Sequence, residues 1–336
     1  MKVTLTDPDA DKKRRAPGEV LGLAEKYGSA SPRGNSYYSQ ALKCSREHAL
    51  SSLVRLRPER DEDALTTGWL FHMGLEIWGG VIMRVQHAQG LEWARSQPGG
   101  VDEQTRQLAE DTAYQTFANL ASEPGYEETF PTVMRCLKSY FEKARAQRYF
   151  YLAVEETLQT TLPIEYSARL DAIVVDMGET PVHDVTRAVE YKTARALAAN
   201  LLAGYQLNLQ TLGQAWLFGR CVDTSRYPRF AGVRVDITSK TKVPQHIEVD
   251  VIPTRSGMKA FESAVGSYQR LLDAAEREGF PPNFTCCAGA TRAFRQCKYY
   301  NLCFNNPDLQ IKDLLAEQVP PYGFVREAVS ITEDEE

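Results

Sequence analysis

No stretch of this 336-residue chain is apolar for long enough to cross a bilayer. The opening MKVTLTDPDADKKRRAPGE has basic residues with no apolar core behind them, so no secretory leader is expected and the cytoplasm is the expected setting. A surplus of positive charge is also missing. The 39 Lys and Arg stand against 44 Asp and Glu, a net charge of −5. Total charge therefore does not mark a nucleic-acid binder, although a local basic groove would serve one. No Gly-x-x-x-x-Gly-Lys-Ser/Thr loop occurs, so the chain carries no ATP-driven motor of its own. Internal repeats and long low-complexity linkers are absent too. Cysteine is sparse and odd in number, seven in all, with no short Cys-x-x-Cys pair. That count fits a disulfide framework poorly, and the spacing fits a zinc finger poorly.

What is present is ordinary globular material, 43% hydrophobic and 25% charged, in a chain long enough to bury a large core. Residues 1–35 are polar and read as a flexible arm. SYYSQALKCSREHALSSLVRL and LTTGWLFHMGLEIWGGVIMRVQHA have helical period, and 102–148 reads as further helices. From about Tyr149 the texture turns to β-branched and aromatic residues. YFYLAVEETLQTTLPIEYSARLDAIVVDM and VTRAVEYKTA are expected strands around the turn GETPVHD, ALAANLLAGYQLNLQTLGQAWLFGRC returns to helix, and YPRFAGVRVDITSK and PQHIEVDVIPT supply another strand pair. A long helix follows over 256–278, then a cysteine-rich stretch. This order predicts an α/β fold in one domain over 36–310: a helical part (36–148), a sheet core (149–255), and a helix with a cysteine clasp (256–310). An acidic tail over 311–336 is expected to be solvated.

The strand block carries the first chemical signal. If its two strands form a hairpin turning at Thr180–Pro181, partner positions add to about 361 and Asp171 faces Glu190. Side chains alternate along a strand, so Glu190 and Lys192 share that face. Two carboxylates so placed call for a cation, and hard ions such as Mg²⁺ suit oxygen donors. A lysine beside the ion could orient or help deprotonate a water. Glu-x-Lys on a strand is equally the pattern of a solvated face. His72 and Glu76 stand at i, i+4 in GWLFHMGLE, as site residues or as part of a core helix. Gln206, Gln210 and Gln214 recur at helical spacing, as a functional stripe or as an amphipathic surface.

Four cysteines crowd the stretch TCCAGATRAFRQCKYYNLC, with Cys44 far upstream. Clustered thiols in a reducing compartment read as metal or redox ligands, against the plainer reading of free structural thiols that suits Cys136 and Cys221.

In order, CSREHAL, GWLFHMGLE, ARLDAIV, VEYKTA, QLNLQTLGQAW and CKYYNLC resemble the PD-(D/E)XK nuclease superfamily. The branch resembled is that of RecB-type exonucleases with an iron–sulfur cluster, which includes CRISPR-associated and phage-encoded enzymes. The resemblance spans Cys44 to Cys303. It implies a restriction-endonuclease-like core, a mixed β-sheet flanked by helices, with a helical N-terminal elaboration and a C-terminal iron–sulfur clasp. It makes His72, Asp171, Glu190 and the carbonyl of Tyr191 ligands of Mg²⁺ or Mn²⁺. Lys192 would position the attacking water, and Gln210 would help hold the site or the DNA. Where the family has tyrosine four residues later, this chain has Gln214, which is left outside the expected site. Cys44, Cys297 and Cys303 become ligands of a 4Fe-4S cluster together with Cys286 or Cys287, of which Cys287 is nearer in sequence. The implied activity is hydrolysis of DNA, single-stranded or with free ends, in recombination, repair or phage DNA processing. A helicase or recombination protein is a fitting partner. A catalytically silent iron–sulfur DNA-binding subunit is the alternative. Basic and aromatic residues in KSYFEKARAQRYFY and RAFRQCKYY would contact phosphates and bases, or else be core aromatics with solvated charges.

Overall fold

Strand-forming residues arrive in one block, and their pattern decides which strands are central. In the computed structural model, residues 34–58, 63–120, 128–161, 163–197, 204–205, 208–222, 224–283, 297–306, 310–316, 320–322 and 324–326 are described. The elements in order are α1 (Asn35–Lys43), α2 (Ser45–His48), β1 (Leu56–Pro58), α3 (Asp63–Gln89), α4 (Leu91–Ser96), α5 (Glu103–Leu120) and α6 (Phe130–Ala144). Then come β2 (Tyr149–Thr160), β3 (Tyr166–Asp176), β4 (Val185–Ala194), α7 (Leu209–Cys221), β5 (Phe230–Ser239), β6 (His246–Val251) and α8 (Arg255–Arg277). The chain ends with α9 (Tyr300–Asn305), α10 (Ile311–Ala316) and β7 (Phe324–Arg326).

The chain divides into two compact units. The first draws its described residues from Glu62–Thr160 and Ser167–Met258, the second from Val20–Asp61, Thr161–Tyr166 and Lys259–Glu336. The first unit holds a five-stranded mixed sheet in the order β2-β3-β4-β5-β6. β3 and β4 run antiparallel, β4 and β5 parallel, β5 and β6 antiparallel. The β3–β4 register pairs Ala172 with Val189 and Asp176 with Val185, so partner positions add to 361 as the hairpin argument requires. β3 is buried along nearly its whole length, which is why its sequence reads as an apolar run without alternation.

Helices cover both faces. Tyr191 of β4 turns its ring to Tyr140 of α6 at 5.5 Å, while its neighbour Glu190 faces α7. Trp78 of α3 packs edge-on to Tyr140 and Tyr151 and stacks on Phe141 at 5.3 Å. Burying rings of this size stabilises by roughly 2–3 kcal/mol each. Gly74 lets α3 seat closely, because a Cβ there would lie 2.7 Å from Leu137 of α6 and 2.9 Å from Phe117 of α5. That seating fixes the register of His72, two residues earlier on the same helix. KSYFEKARAQRYFY proves to be framework. Tyr140, Phe141, Tyr149 and Tyr151 are buried, Lys143 bonds Asp236 at 2.5 Å and Glu248 at 2.8 Å, and Arg145 meets Glu103 and Glu110.

The second unit corrects the N-terminal reading. The continuous helix expected from SYYSQALKCSREHALSSLVRL breaks at Cys44, whose backbone is extended (φ −159°, ψ 114°). The chain restarts with the Cys44 Sγ accepting from the Glu47 N–H at 3.5 Å, passes through a π-helical turn at Ala49–Leu53, and ends in strand β1. The first part of the expected tail is also structured here: β7 pairs antiparallel with β1, and Ile311 and Leu314 of α10 join a core with Leu50, Leu56, Cys297, Tyr299 and Leu302. Of RAFRQCKYY, residues 292–296 lie outside the described residues, and Tyr299 is fully buried with Lys298 over its ring. Among the described residues no helix is long and apolar enough to cross a membrane.

Candidate active site

Strand register builds the site from its floor. Asp171 and Glu190 follow directly on the Ala172–Val189 pair, so both carboxylates leave the sheet on the face that α7 covers. Asp171 Oδ2 accepts the Tyr191 N–H at 2.7 Å and lies 3.3 Å from Nδ1 of His72, brought in by α3. Glu190 is 2% exposed. Its Oε1 accepts from Lys192 Nζ and from Gln210 Nε2, the latter at 2.6 Å, and its Oε2 accepts from Gln214 Nε2. The Asn208 side chain caps α7 by accepting the Gln210 N–H at 2.8 Å, which sets the phase that turns both glutamines onto Glu190.

The structure thus gathers His72, Asp171, Glu190, Lys192 and Gln210, and it places the Tyr191 ring on the other face with only its backbone beside Asp171. Gln206 and Cys287 lie outside the described residues, as does Cys286. Cys44, Cys297 and Cys303 belong to the second unit.

Two residues beyond the expected set join the site. Gln214 is one. Glu155 of β2 is the other: ligand atoms of His72, Glu155 and Asp171 all lie within 4.8 Å of one another. Glu155 has φ +55°, a left-handed conformation that interrupts the pleat of β2 and re-aims its carboxylate. Arg169 Nε stands 2.8 Å from its Oε2. The acid in AVEETL was visible in the sequence, but only the kink reveals its direction.

The carboxyl groups of the pocket are not equally compensated. Burial and then the Asp171 carboxylate push the Glu155 carboxyl up to about 8. Burial works against the charges of His72, Asp171 and Lys192, yet their mutual attraction prevails in each case. Asp171 raises the His72 imidazole, His72 and Lys192 hold Asp171 low, and Glu190 and Asp171 raise the Lys192 ammonium. An imidazole and two carboxyl groups whose ligand atoms lie this close form a possible acidic metal site, whose oxygens suit hard ions such as Mg²⁺ or Mn²⁺ once the carboxyls have given up their protons.

This imbalance sets a pH dependence. The Glu155 pKa is higher folded than unfolded, so its contribution to stability is complete below about 4.5 and is lost as pH rises through about 8. With a chelator present, urea unfolding is expected to show stability falling between these limits, and Glu155→Gln should flatten the slope by on the order of a few kcal/mol. His72, Glu76, Asp171 and Arg169 are the charged groups acting on Glu155 and remain in both proteins. Equal slopes would show that Glu155 is not held protonated.

Comparison with known proteins follows the same lines. A solved structure of a proposed exonuclease from Eubacterium rectale aligns at 12% identity, over 90% of this chain and 98% of that one, with a TM-score of 0.43. A second, SSO0001, aligns at 13% identity over 49% of this chain and 71% of that one, with a TM-score of 0.26. No curated protein matches. The family profile of the PD-(D/E)XK nuclease superfamily matches residues 35–304, which covers both Asp171 and the Glu190-Tyr191-Lys192 triplet. The chain belongs to the PD-(D/E)XK nuclease superfamily.

Proposed function

We propose that this protein is a metal-dependent deoxyribonuclease of the RecB-type branch, an exonuclease that hydrolyses phosphodiester bonds in single-stranded DNA or at DNA ends. The observation that carries the reading is the convergence of His72, Asp171, Glu190 and Lys192 from one helix and two antiparallel strands. His72, Asp171, Glu190 and the Tyr191 carbonyl would hold Mg²⁺ or Mn²⁺, and Glu155, within 4.8 Å of the ligand atoms of His72 and Asp171, would be a further donor beside those two. A bound ion of this kind supplies Lewis-acid polarisation of the phosphoryl oxygen and acidifies water. The residues do the rest. Lys192, its pKa raised by the two carboxylates, is a cation at neutral pH. It would orient the attacking water and offset phosphate charge. Gln210 keeps Glu190 in place. Asp171 and Glu190, each buried and hydrogen-bonded, present fixed lone pairs to the cation and need no rearrangement during the reaction.

The second unit supports the iron–sulfur part of the reading. Cys44, Cys297 and Cys303 are not in disulfides. Cys297 lies in the core just before α9, and Cys303, within α9, packs against the same core. The Cys44 Sγ accepts two backbone N–H groups, from Glu47 at 3.5 Å and Asn283 at 3.4 Å. Backbone donors aimed at a sulfur stabilise thiolate ligands, and they fit this cysteine to a 4Fe-4S cluster with Cys297, Cys303 and Cys287 as the others. Its role there is structural, since the binding energy of such a centre adds to folding. Protein purified without oxygen is expected to be brown, with broad absorption in the blue, and Cys297→Ser should bleach it and lower its melting temperature. A colourless anaerobic preparation with stoichiometric zinc would refute the cluster.

The nuclease reading is tested by an anaerobic assay with Mg²⁺ and Mn²⁺ on end-labelled linear and circular DNA, single-stranded and duplex. Degradation of linear DNA alone is the expected result. Cleavage of circles would overturn the exonuclease assignment, and inertness toward all four substrates would favour the silent DNA-binding subunit.

A further inference from the structure

Glu190 has more donors than a strand carboxylate needs, and one of them comes from a residue outside the expected site. Gln210 and Gln214 stand one helical turn apart on α7 and reach the same carboxylate, Gln210 through Oε1 and Gln214 through Oε2. The chemistry of the Glu-x-Lys strand does not by itself ask for a glutamine at 214.

Gln214 is 1% exposed, among buried Thr211, Ala215, Leu217 and Phe218. Its amide is only half used. Nε2 donates to Glu190, while Oε1 is buried and, among the described residues, accepts no hydrogen bond. A glutamine kept for packing would be better replaced by Leu or Met, which leave no dry carbonyl oxygen. The reverse orientation of the amide would set Oε1 against Glu190 Oε2, acceptor against acceptor. The Glu190 oxygen, as an acceptor, therefore selects the NH₂-inward rotamer and strands the amide oxygen. The polar group is retained for what it does to Glu190.

We propose that Gln214 is a positioning residue that, with Gln210, clamps the Glu190 carboxylate by one amide on each oxygen and so fixes the plane in which Glu190 offers its lone pairs to a divalent cation. The proposal rests on the reading of Glu190 as a metal ligand. One donor alone would leave the carboxylate free to swing about its last torsion, which is broad for Glu. Two donors from consecutive turns of one helix remove that freedom. The second amide thus takes the place of the family's tyrosine at the same helical position, by a different donor. Lys192, which shares Oε1 with Gln210, is left able to turn toward a substrate without releasing Glu190.

The test is Mn²⁺ calorimetry on the full-length protein, with Gln214→Met as the variant of similar length that lacks a donor. Orienting partners of a metal ligand contribute about 10- to 100-fold in affinity or activity. Gln214→Met is accordingly expected to weaken Mn²⁺ binding by at least about ten-fold and to lower kcat by a similar factor, with KM for DNA and the melting temperature unchanged. In a Glu190→Gln background the same substitution should change Mn²⁺ affinity little, because its effect passes through Glu190. Wild-type Mn²⁺ affinity in Gln214→Met, or an equal loss in both backgrounds, would overturn the clamp and leave the nuclease assignment standing. A parent protein that binds no Mn²⁺ would overturn both.

Discussion

Asp171→Asn is expected to abolish divalent-metal binding and to lower DNA cleavage by about a thousand-fold or more, since a metal centre of this type is worth several kcal/mol of transition-state stabilisation. The fold should survive. Asn has the volume of Asp, and its Oδ1 can still accept the Tyr191 N–H that Asp171 now holds at 2.7 Å. That bond keeps the amide oxygen where Asp171 Oδ2 now meets both Tyr191 and His72, and it leaves the NH₂ in place of Oδ1, a donor with no lone pair and no charge to offer a cation. The substitution also removes the partner that raises the His72 imidazole against its burial, and one of the charges that raises Glu155. His72 should therefore titrate lower than in the parent, with burial then less opposed, and the Glu155 carboxyl should fall from about 8. Mn²⁺ calorimetry, a cleavage assay and a thermal melt on the same preparation check the three parts. Cleavage at the parent rate by Asp171→Asn would remove Asp171 from the site.

How much of this was legible beforehand depended on whether geometry was local. The facing of Asp171 and Glu190 follows from one turn and the two-residue period of a strand, and the observed register reproduces it. His72 could be placed on a helix but not aimed, because its contact with Asp171 depends on how closely α3 seats at Gly74. Glu155 was invisible for a sharper reason. A regular strand phase says nothing of a residue at φ +55°, and strand order in the sheet is not a property of β2 alone. Gln214 failed on identity: the resemblance led to a tyrosine there, and the contact of the amide with Glu190 appears only once α7 is packed on the sheet. The break at Cys44 was hidden because apolar periodicity runs through it unchanged. What stops the helix is a sulfur that caps the next turn and accepts from Asn283, far away in sequence. The tail misled through composition. Its last residues, ITEDEE, are acidic, but the segment before them carries Ile311, Leu314 and Phe324, which enter the core of the second unit.

Lys192→Met should separate two roles that Asp171→Asn destroys together. Cleavage is expected to fall by roughly 100- to 1000-fold, the range seen when one preorganised electrostatic donor is removed from an active site. Mn²⁺ binding should persist or tighten. The ammonium is a like charge beside the cation site, and its loss leaves Glu190 still bonded to both Gln210 and Gln214. Met keeps most of the length of the apolar stem, so the partly open mouth of the site, where the Lys192 side chain is 27% exposed, does not collapse. The expected signature is a fall in kcat with metal affinity intact, read by steady-state kinetics and calorimetry at saturating Mn²⁺. Loss of metal binding in parallel with cleavage would instead make Lys192 a fastener of Glu190. The water would then be oriented by the ion and its carboxylates alone.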